Sequence, residues 1–305
     1  MQEELLHIFP LHLRETLQKV TMKENTLEEI RIRIGQPVIF HMENEEWYLK
    51  KETGRLERSQ VNAYCATKED IKSMVKFISS YSLYAYEDEM KRGFITMQGG
   101  HRIGVAGQVV MDGGKVLSLS NIYFLNIRVA REKRGCAKDI IPYLIHRNNI
   151  YNTLFVSPPG IGKTTYLRDA IRILSNGSDR LHGMKISIID ERSEIAACRQ
   201  GIPQNDIGIR SDVLDGCLKS FGMLLMLRSM APQIIAVDEI GSREDCRAME
   251  QAIYSGSRII GTVHAYDMKE LSRKKYLKEM LEQQMFGRIV LLEKAENGRR
   301  RFHIY

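Results

Sequence analysis

Three strand-like runs in this 305-residue chain end in residues able to handle a polyphosphate, and a fourth ends in a histidine. The first run, Thr153 to Val156, leads into Ser157-Pro158-Pro159-Gly160-Ile161-Gly162-Lys163-Thr164-Thr165, and a helix is expected to follow. Backbone N–H groups in such a turn form an anion cradle, and the helix N-terminus adds positive potential. Lys163 can reach the outer phosphates and the Thr164 hydroxyl can ligate Mg²⁺. Gly160 and Gly162 permit φ values and a close approach that a side chain would block. The pattern's usual first glycine is Ser157 here, at some cost in backbone freedom. Pro159, Gly160, Ile161, Gly162, Lys163, Thr164 and Thr165 are therefore read as a phosphate-binding loop, which predicts a P-loop ATPase using ATP and Mg²⁺.

The run Ile234-Ile235-Ala236-Val237 ends in Asp238-Glu239. In such an enzyme Asp238 would hold Mg²⁺ through water, and Glu239 would orient or deprotonate the attacking water. Ile186 to Ile189 ends in Asp190-Glu191-Arg192-Ser193-Glu194, and Arg258 to Val263 ends in His264. Any of these alone could be a buried strand entering a turn, and a lone histidine is more often structural. In a parallel sheet, however, all strand ends lie on the ligand-binding edge. His264 is accordingly expected to sense the γ-phosphate.

The positioning elements follow from periodicity. Helices are expected at Lys163 to Leu174, Asp212 to Met230 and Arg243 to Tyr254, which completes a βα alternation and predicts a parallel α/β sheet. Before residue 135 the elements are short. Leu5 to Val20 has helical spacing, Glu29 to Ile34 alternates as a half-buried strand, and Val38 to His41 alternates again after Gly35-Gln36-Pro37. Thr67 opens a helix over Lys68 to Ser80, and strands are expected at Gly93 to Met97 and Gly104 to Val110. The charged stretch Arg131 to Gly135 reads as a linker, and Asp139 to Arg147 as a helix beyond it. The expected organisation is an α+β domain over 1–134 and a P-loop domain over 135–305.

Composition narrows the class. Apolar residues make up 43% and charged residues 27%, ordinary for a globular chain. No run approaches the roughly 18 apolar residues of a membrane span, and the charged start is unlike a signal peptide, so a cytoplasmic protein is expected. Five cysteines without C-x-x-C spacing argue for reduced thiols rather than zinc or disulfides. The net charge is +7, and Lys269 to Arg301 holds ten Lys or Arg against five Glu. That segment reads as a solvated helix face with a basic tail, the alternative being a surface for anionic lipid or nucleic acid.

Four boxes in order carry a resemblance: the phosphate loop, Asp190 to Glu194, Asp238-Glu239, and Gly261-Thr262-Val263-His264. Together they resemble the secretion ATPases of type II and type IV systems and the pilus motors. The likeness is closer to a sporulation member of that superfamily. It is carried by Glu29 to Pro37, Gly99-Gly100-His101-Arg102-Ile103-Gly104, Asp190 to Ile195, and Asp212 to Cys217. It implies a RecA-like P-loop core with a smaller α+β N-terminal domain, assembled as a homohexamer. It also implies membrane channel proteins of the same operon as partners, and a place at the mother-cell side of the forespore membrane. By the same resemblance Glu239 is the catalytic carboxylate, Glu191 and Glu194 belong to the acidic box, and Arg228 matches an arginine preceding the acidic strand. Two departures stand out. Asp238-Glu239 replaces the motors' Gly-Glu, and Gly241 replaces an arginine, with Arg243 two residues on. A γ-phosphate arginine could then be Arg102, Arg128 or Arg131.

The competing reading is a nucleic-acid-dependent ATPase using the basic C-terminal segment. Its aromatic interleaving is sparse, with only Tyr276 and Phe286. The group Tyr81, Tyr84, Tyr86 reads as packing at a helix end. A scaffold that binds ATP without hydrolysing it is disfavoured by the intact Lys163, Thr164, Asp238 and Glu239. A small-molecule kinase would leave the N-terminal domain unexplained.

Overall fold

The computed structural model describes the whole chain except residues 1–2, 21–25, 44, 80–85, 92, 131, 148, 179–180 and 296–299. The chain forms two compact units, Met1–Arg131 and Glu132–Tyr305.

In the first unit the helices α1 (Glu3–Leu6), α2 (Leu11–Gln18), α3 (Lys68–Ile78) and α4 (Glu87–Lys91) accompany one sheet. Its strands are β1 (Leu27–Arg33), β2 (Ile39–Met42), β3 (Glu45–Leu49), β4 (Leu56–Glu57), β5 (Phe94–Thr96), β6 (Arg102–Asp112) and β7 (Lys115–Arg128). They lie in the order β4-β3-β2-β1-β7-β6-β5 with every pairing antiparallel. Ile30, Ile32, Phe40, Ile103 and Ile127 meet Leu17, Ile71 and Met74 in its core. Thr67 caps α3 by accepting from the Asp70 N–H, and Asp70 answers by accepting from Thr67 N–H. The helix expected over Leu5 to Val20 is instead two, broken at Pro10, which caps α2 and has no N–H to continue α1. Of the tyrosine group, Tyr86 is buried, whereas Tyr81 and Tyr84 lie outside the described residues.

The second unit begins with α5 (Ile141–Leu144) and the small pair β8 (Ile145–His146) and β9 (Asn149–Ile150), where one longer helix was expected. Its main elements are β10 (Thr153–Ser157), α6 (Lys163–Asn176), β11 (Ile186–Asp190), β12 (Ser211–Asp215), α7 (Lys219–Met230), β13 (Ile234–Val237), α8 (Arg243–Tyr254) and β14 (Arg258–His264). Then follow α9 (Met268–Ser272), α10 (Lys278–Glu282), β15 (Arg288–Lys294) and β16 (Arg300–Ile304). The sheet order is β12-β11-β13-β14-β10-β15-β16, parallel except for β16. Alternation divides the buried residues between its faces. Phe155, Ile188, Ala236 and Ile260 pack with Leu167, Ile171 and Leu174 of α6. Leu154, Val156, Ile189, Ile235 and Val237 pack with Met223, Met226, Met249 and Ala252 of α7 and α8. Helices on both faces of a parallel sheet give the expected α/β class.

Two further expectations fail locally. Asp212 to Asp215 is not the start of a helix but strand β12, pairing Ser211 with Ile186, and Gly216 at φ +69° ends it before α7. The Lys269 to Arg301 segment is not simply a solvated face with a tail, because Val290, Leu291 and Leu292 of β15 are buried in the sheet. Three of its described cations have partners: Lys274 approaches Glu270, Lys278 approaches Glu282, and Arg288 covers the Tyr151 ring.

The fit of α7 on the sheet depends on Gly222. A Cβ there would lie 2.7 Å from Ile189 Cγ2 and 3.2 Å from Leu214 Cδ2. Gly222→Ala should therefore overpack this contact and lower unfolding stability by about 1–3 kcal/mol. Chemical denaturation measures it, and an unchanged midpoint would mean that α7 seats loosely.

Candidate functional site

The phosphate loop leaves β10 at the point where the sheet's connections diverge. The chain goes from β10 through α6 to β11, across two intervening strands, whereas β15 on the other side of β10 is reached only through α9 and α10. This is a topological switch point, the place where parallel α/β sheets bind ligands. Gly160 and Gly162 have φ of +77° and +105°, a region that favours glycine. Space around Gly160 is open, with no atom within 4 Å of an added Cβ. Ser157 ends β10 in extended backbone and is fully buried, so glycine is not needed there. Pro159 and Gly160 are exposed, and Ile161, Gly162, Thr164 and Thr165 half-buried.

Lys163 begins α6 and is only 6% exposed. Its ammonium stands 2.9 Å from His264 Nδ1 at the end of the neighbouring strand β14. Lysine can only donate, so Nδ1 carries the lone pair and the Nε2–H faces Glu239 Oε1 at 3.0 Å. Burial pulls Lys163 below the ordinary lysine value, and Asp238, Glu239 and Glu194 offset part of that. At the next residue, Thr164 Oγ1 donates to Asp238 Oδ2 at 2.6 Å. The Thr262 hydroxyl donates to the other oxygen of Asp238. Thr262 Oγ1 also accepts from the Glu239 N–H at 2.9 Å. That bond fixes Glu239 in a left-handed conformation, φ +51°, uncommon outside glycine and concentrated at functional sites. The Glu239 carboxylate takes a second donor, Arg192 Nη1, at 2.5 Å. Burial acts to raise its pKa, but the His264 hydrogen bond and then Arg192 outweigh it and hold the carboxyl below its ordinary value.

The acidic loop after β11 is built on Asp190, which accepts from the N–H groups of Glu194, Ile195 and Ala196 at 2.8, 3.0 and 2.8 Å. Burial pushes the Asp190 carboxyl up to about 6 against those three donors, and Asp215 adds to the rise. Arg168 of α6 ties this loop to the phosphate helix by donating to the carbonyls of Ile195 and Glu194 at 2.6 and 2.5 Å. Asp169, beside it, accepts from the N–H groups of Gly135 and Ala137 at 3.0 and 2.8 Å and from Arg172.

Lys163, Thr164, Asp238, Glu239 and His264 thus meet at one sheet edge, with Glu194 close enough to act on the Lys163 charge. Glu191 is engaged elsewhere, by Lys219 of α7. Arg228 does not join the loop. It is exposed in the last turn of α7, which leads to the start of β13, and parallel strands put that start on the edge opposite the loop. The expectation that Arg228 binds the cofactor alongside Lys163 in the same chain is therefore corrected. Arg102 and Arg128 face each other across β6 and β7 in the first unit, Arg102 over the Phe94 ring, and Arg131 lies outside the described residues. Arg168 and Asp169 carried no local signal in the sequence, whereas Arg192 lies in the acidic box and Thr262 in the histidine box.

A nucleotide with Mg²⁺ fits these donors. Thr164 and Asp238 would hold the ion, and two protein oxygens suffice for Mg²⁺, which keeps waters and takes phosphate oxygens. Among the described residues no three His, Cys, Asp or Glu side chains converge on a metal-sized site.

A parallel sheet with a phosphate loop at its switch point is the RecA-like α/β core, the fold class of the secretion ATPases. The chain belongs to the family described as "Sporulation stage III, protein AA", whose model matches residues 1–305. It is 38% identical to the stage III sporulation protein AA of Bacillus subtilis (strain 168), covering 96% of this chain and 91% of that one. In structure it is similar to the pilus retraction motor PilT solved with bound ADP. There the TM-score is 0.60 at 14% identity, over 99% of this chain and 82% of that one. It is also similar to the ATPase DotB of Legionella pneumophila, at a TM-score of 0.56 and 15% identity over 96% and 77% of the two chains. At those identities the likeness shows the fold.

The raised Asp190 carboxyl has a signed consequence. A carboxyl whose folded pKa is raised stabilises the fold below its ordinary 3.8, and that contribution is lost as pH rises through about 6. Unfolding stability of the wild type minus that of Asp190→Asn should fall between those two pH values. A flat or rising difference would mean that the three backbone donors outweigh burial.

Proposed function

We propose that the chain is a Mg²⁺-dependent ATPase working as a ring of six copies, which energises the assembly or operation of a membrane channel during sporulation. The observation that carries this is the convergence of Lys163, the Thr164–Asp238 pair and the Glu239–His264 pair on one strand edge. Lys163 neutralises the outer phosphates. His264, hydrogen-bonded to both Lys163 and Glu239, reports on what occupies the γ-phosphate position. Glu239 orients the attacking water and accepts its proton. Both Glu239 oxygens carry donors, and the exposed Arg192 is the partner that water displaces most easily. Mg²⁺, when bound, polarises the phosphates and offsets their developing charge. Glu194 tunes the Lys163 charge, and Glu191 anchors the acidic loop to α7.

The family's name supports the sporulation setting, and the fold shared with the PilT motor and the DotB ATPase supports a motor ATPase. The reading extends to channel proteins of the same operon as partners and to a peripheral place at the mother-cell side of the forespore membrane. Among the described residues no helix is long and apolar enough to cross a membrane. Among the described cations of Lys269 to Arg301, Lys274, Lys278 and Arg288 already face partners in the second unit, which favours neither a nucleic-acid groove nor a single lipid-facing patch.

Glu239→Gln should keep ATP affinity and slow turnover by about 10²-fold or more, since only the proton-accepting charge is lost. Normal hydrolysis by that variant would remove Glu239 from its role. Lys163→Ala should lose nucleotide affinity, and unchanged affinity would discredit the phosphate loop. Sedimentation with ATP and Mg²⁺ should show an assembly near six subunits whose specific activity rises with concentration. A monomer of constant specific activity would remove the ring.

A further inference from the structure

Arg300 opens β16, the strand added antiparallel to β15 at the far edge of the sheet, where it pairs with Lys294. Because β15 runs parallel to β10, this end of β16 lies on the edge that carries the phosphate loop. The guanidinium reaches the loop itself. A Cβ built on Gly162 would stand 3.1 Å from both Arg300 Nη atoms and 3.2 Å from Cζ. Arg300 Cζ also lies 5.9 Å from the Tyr166 ring, one turn into α6. Among the described residues no carboxylate pairs with Arg300, whereas Arg192 and Lys219 at the same sheet edge are both paired.

The position is on a particular side. Asp238, Glu239 and His264 come from β13 and β14 on one flank of β10, and Arg300 comes from the other flank. If the γ-phosphate faces Glu239 and His264, the far side of the cradle holds the phosphate that carries the nucleoside. We infer that Arg300 is a nucleotide-positioning residue that grips this α-phosphate, so that the second unit completes its own cradle from its last strand. This rests on the nucleotide-binding reading above. A planar guanidinium with both terminal nitrogens toward the loop suits two phosphate oxygens.

The test is the affinity of the full chain for ADP, ATP and inorganic pyrophosphate, measured by competition with a fluorescent nucleotide. Arg300→Ala should weaken ADP and ATP together by about tenfold or more, as expected for a charged hydrogen bond, and leave pyrophosphate within about twofold. Arg300→Lys should recover part of the loss. Arg301→Ala, at the exposed next position, should change none of the three, and thermal melting checks that each variant folds. Unchanged ADP and ATP affinity would overturn the inference. So would an equal loss of pyrophosphate, or a loss confined to ATP, because each would place Arg300 on another phosphate. A wild-type chain that binds no nucleotide sinks the reading beneath it as well, which separates the two failures.

Discussion

Asp238 accepts hydrogen bonds from Thr164 on α6 and Thr262 on β14, and from the N–H of its own neighbour Glu239. Those three donors belong to the three elements that must be in register for phosphate chemistry: the helix after the cradle, the strand that ends in His264, and the turn that presents Glu239. The site's geometry hangs on this one carboxylate. Were Asp238 apolar, Thr164 and Thr262 would have no shared acceptor, and the left-handed turn at Glu239 would keep only part of its support. The carboxylate is useful because its oxygens accept several donors at once, so one short side chain closes a junction that packing alone would leave loose.

A second junction repeats this arrangement on the neighbouring strand. Asp190 gathers three consecutive backbone N–H groups into a tight loop, and Arg168 binds two carbonyls of the same stretch from the opposite side. The buried carboxylate and the half-buried guanidinium do not pair directly. Each instead satisfies backbone groups that would be orphaned by the turn. The loop's shape is therefore set by two side chains working through the main chain, which leaves Glu191 and Glu194 at its surface for other partners.

Much of the second unit could be read in the residue order. Short apolar runs ending in polar residues gave β10, β11, β13 and β14 within a residue or so, because buried parallel strands have few other ways to be written. The sequence could not separate β12 from the helix after it, since Asp212 to Asp215 carries both apolar and acidic residues and its strand character comes only from pairing with β11. Nor did it show that β15 enters the core, because the three buried positions at Val290, Leu291 and Leu292 stand between Arg288 and Lys294 in a stretch read by its net positive charge. The site divides in the same way. Lys163, Thr164, Asp238, Glu239 and His264 stand in motifs whose spacing follows from covalent neighbours. Arg168 and Arg300 reach the same edge through contacts that no local pattern encodes, and Arg192, though inside the acidic box, shows its pairing with Glu239 only in the fold, while Arg228, assigned by likeness to an arginine ahead of the acidic strand, lies on the opposite edge.

Asp169 sits one and a half turns along the helix that opens at Lys163, and it clasps the main chain at Gly135 and Ala137, just inside the boundary between the two units. Hydrogen bonds of this kind tolerate only a few tenths of an ångström before they weaken. The phosphate helix and the entry of the chain into its unit therefore share one rigid splice, held by a carboxylate whose charge its backbone donors and Arg172 keep in place despite burial. A larger shift of that helix would have to be followed by residues 135–137 or would break the two bonds. The first residues of the second unit are thus held in place by the helix that opens at Lys163.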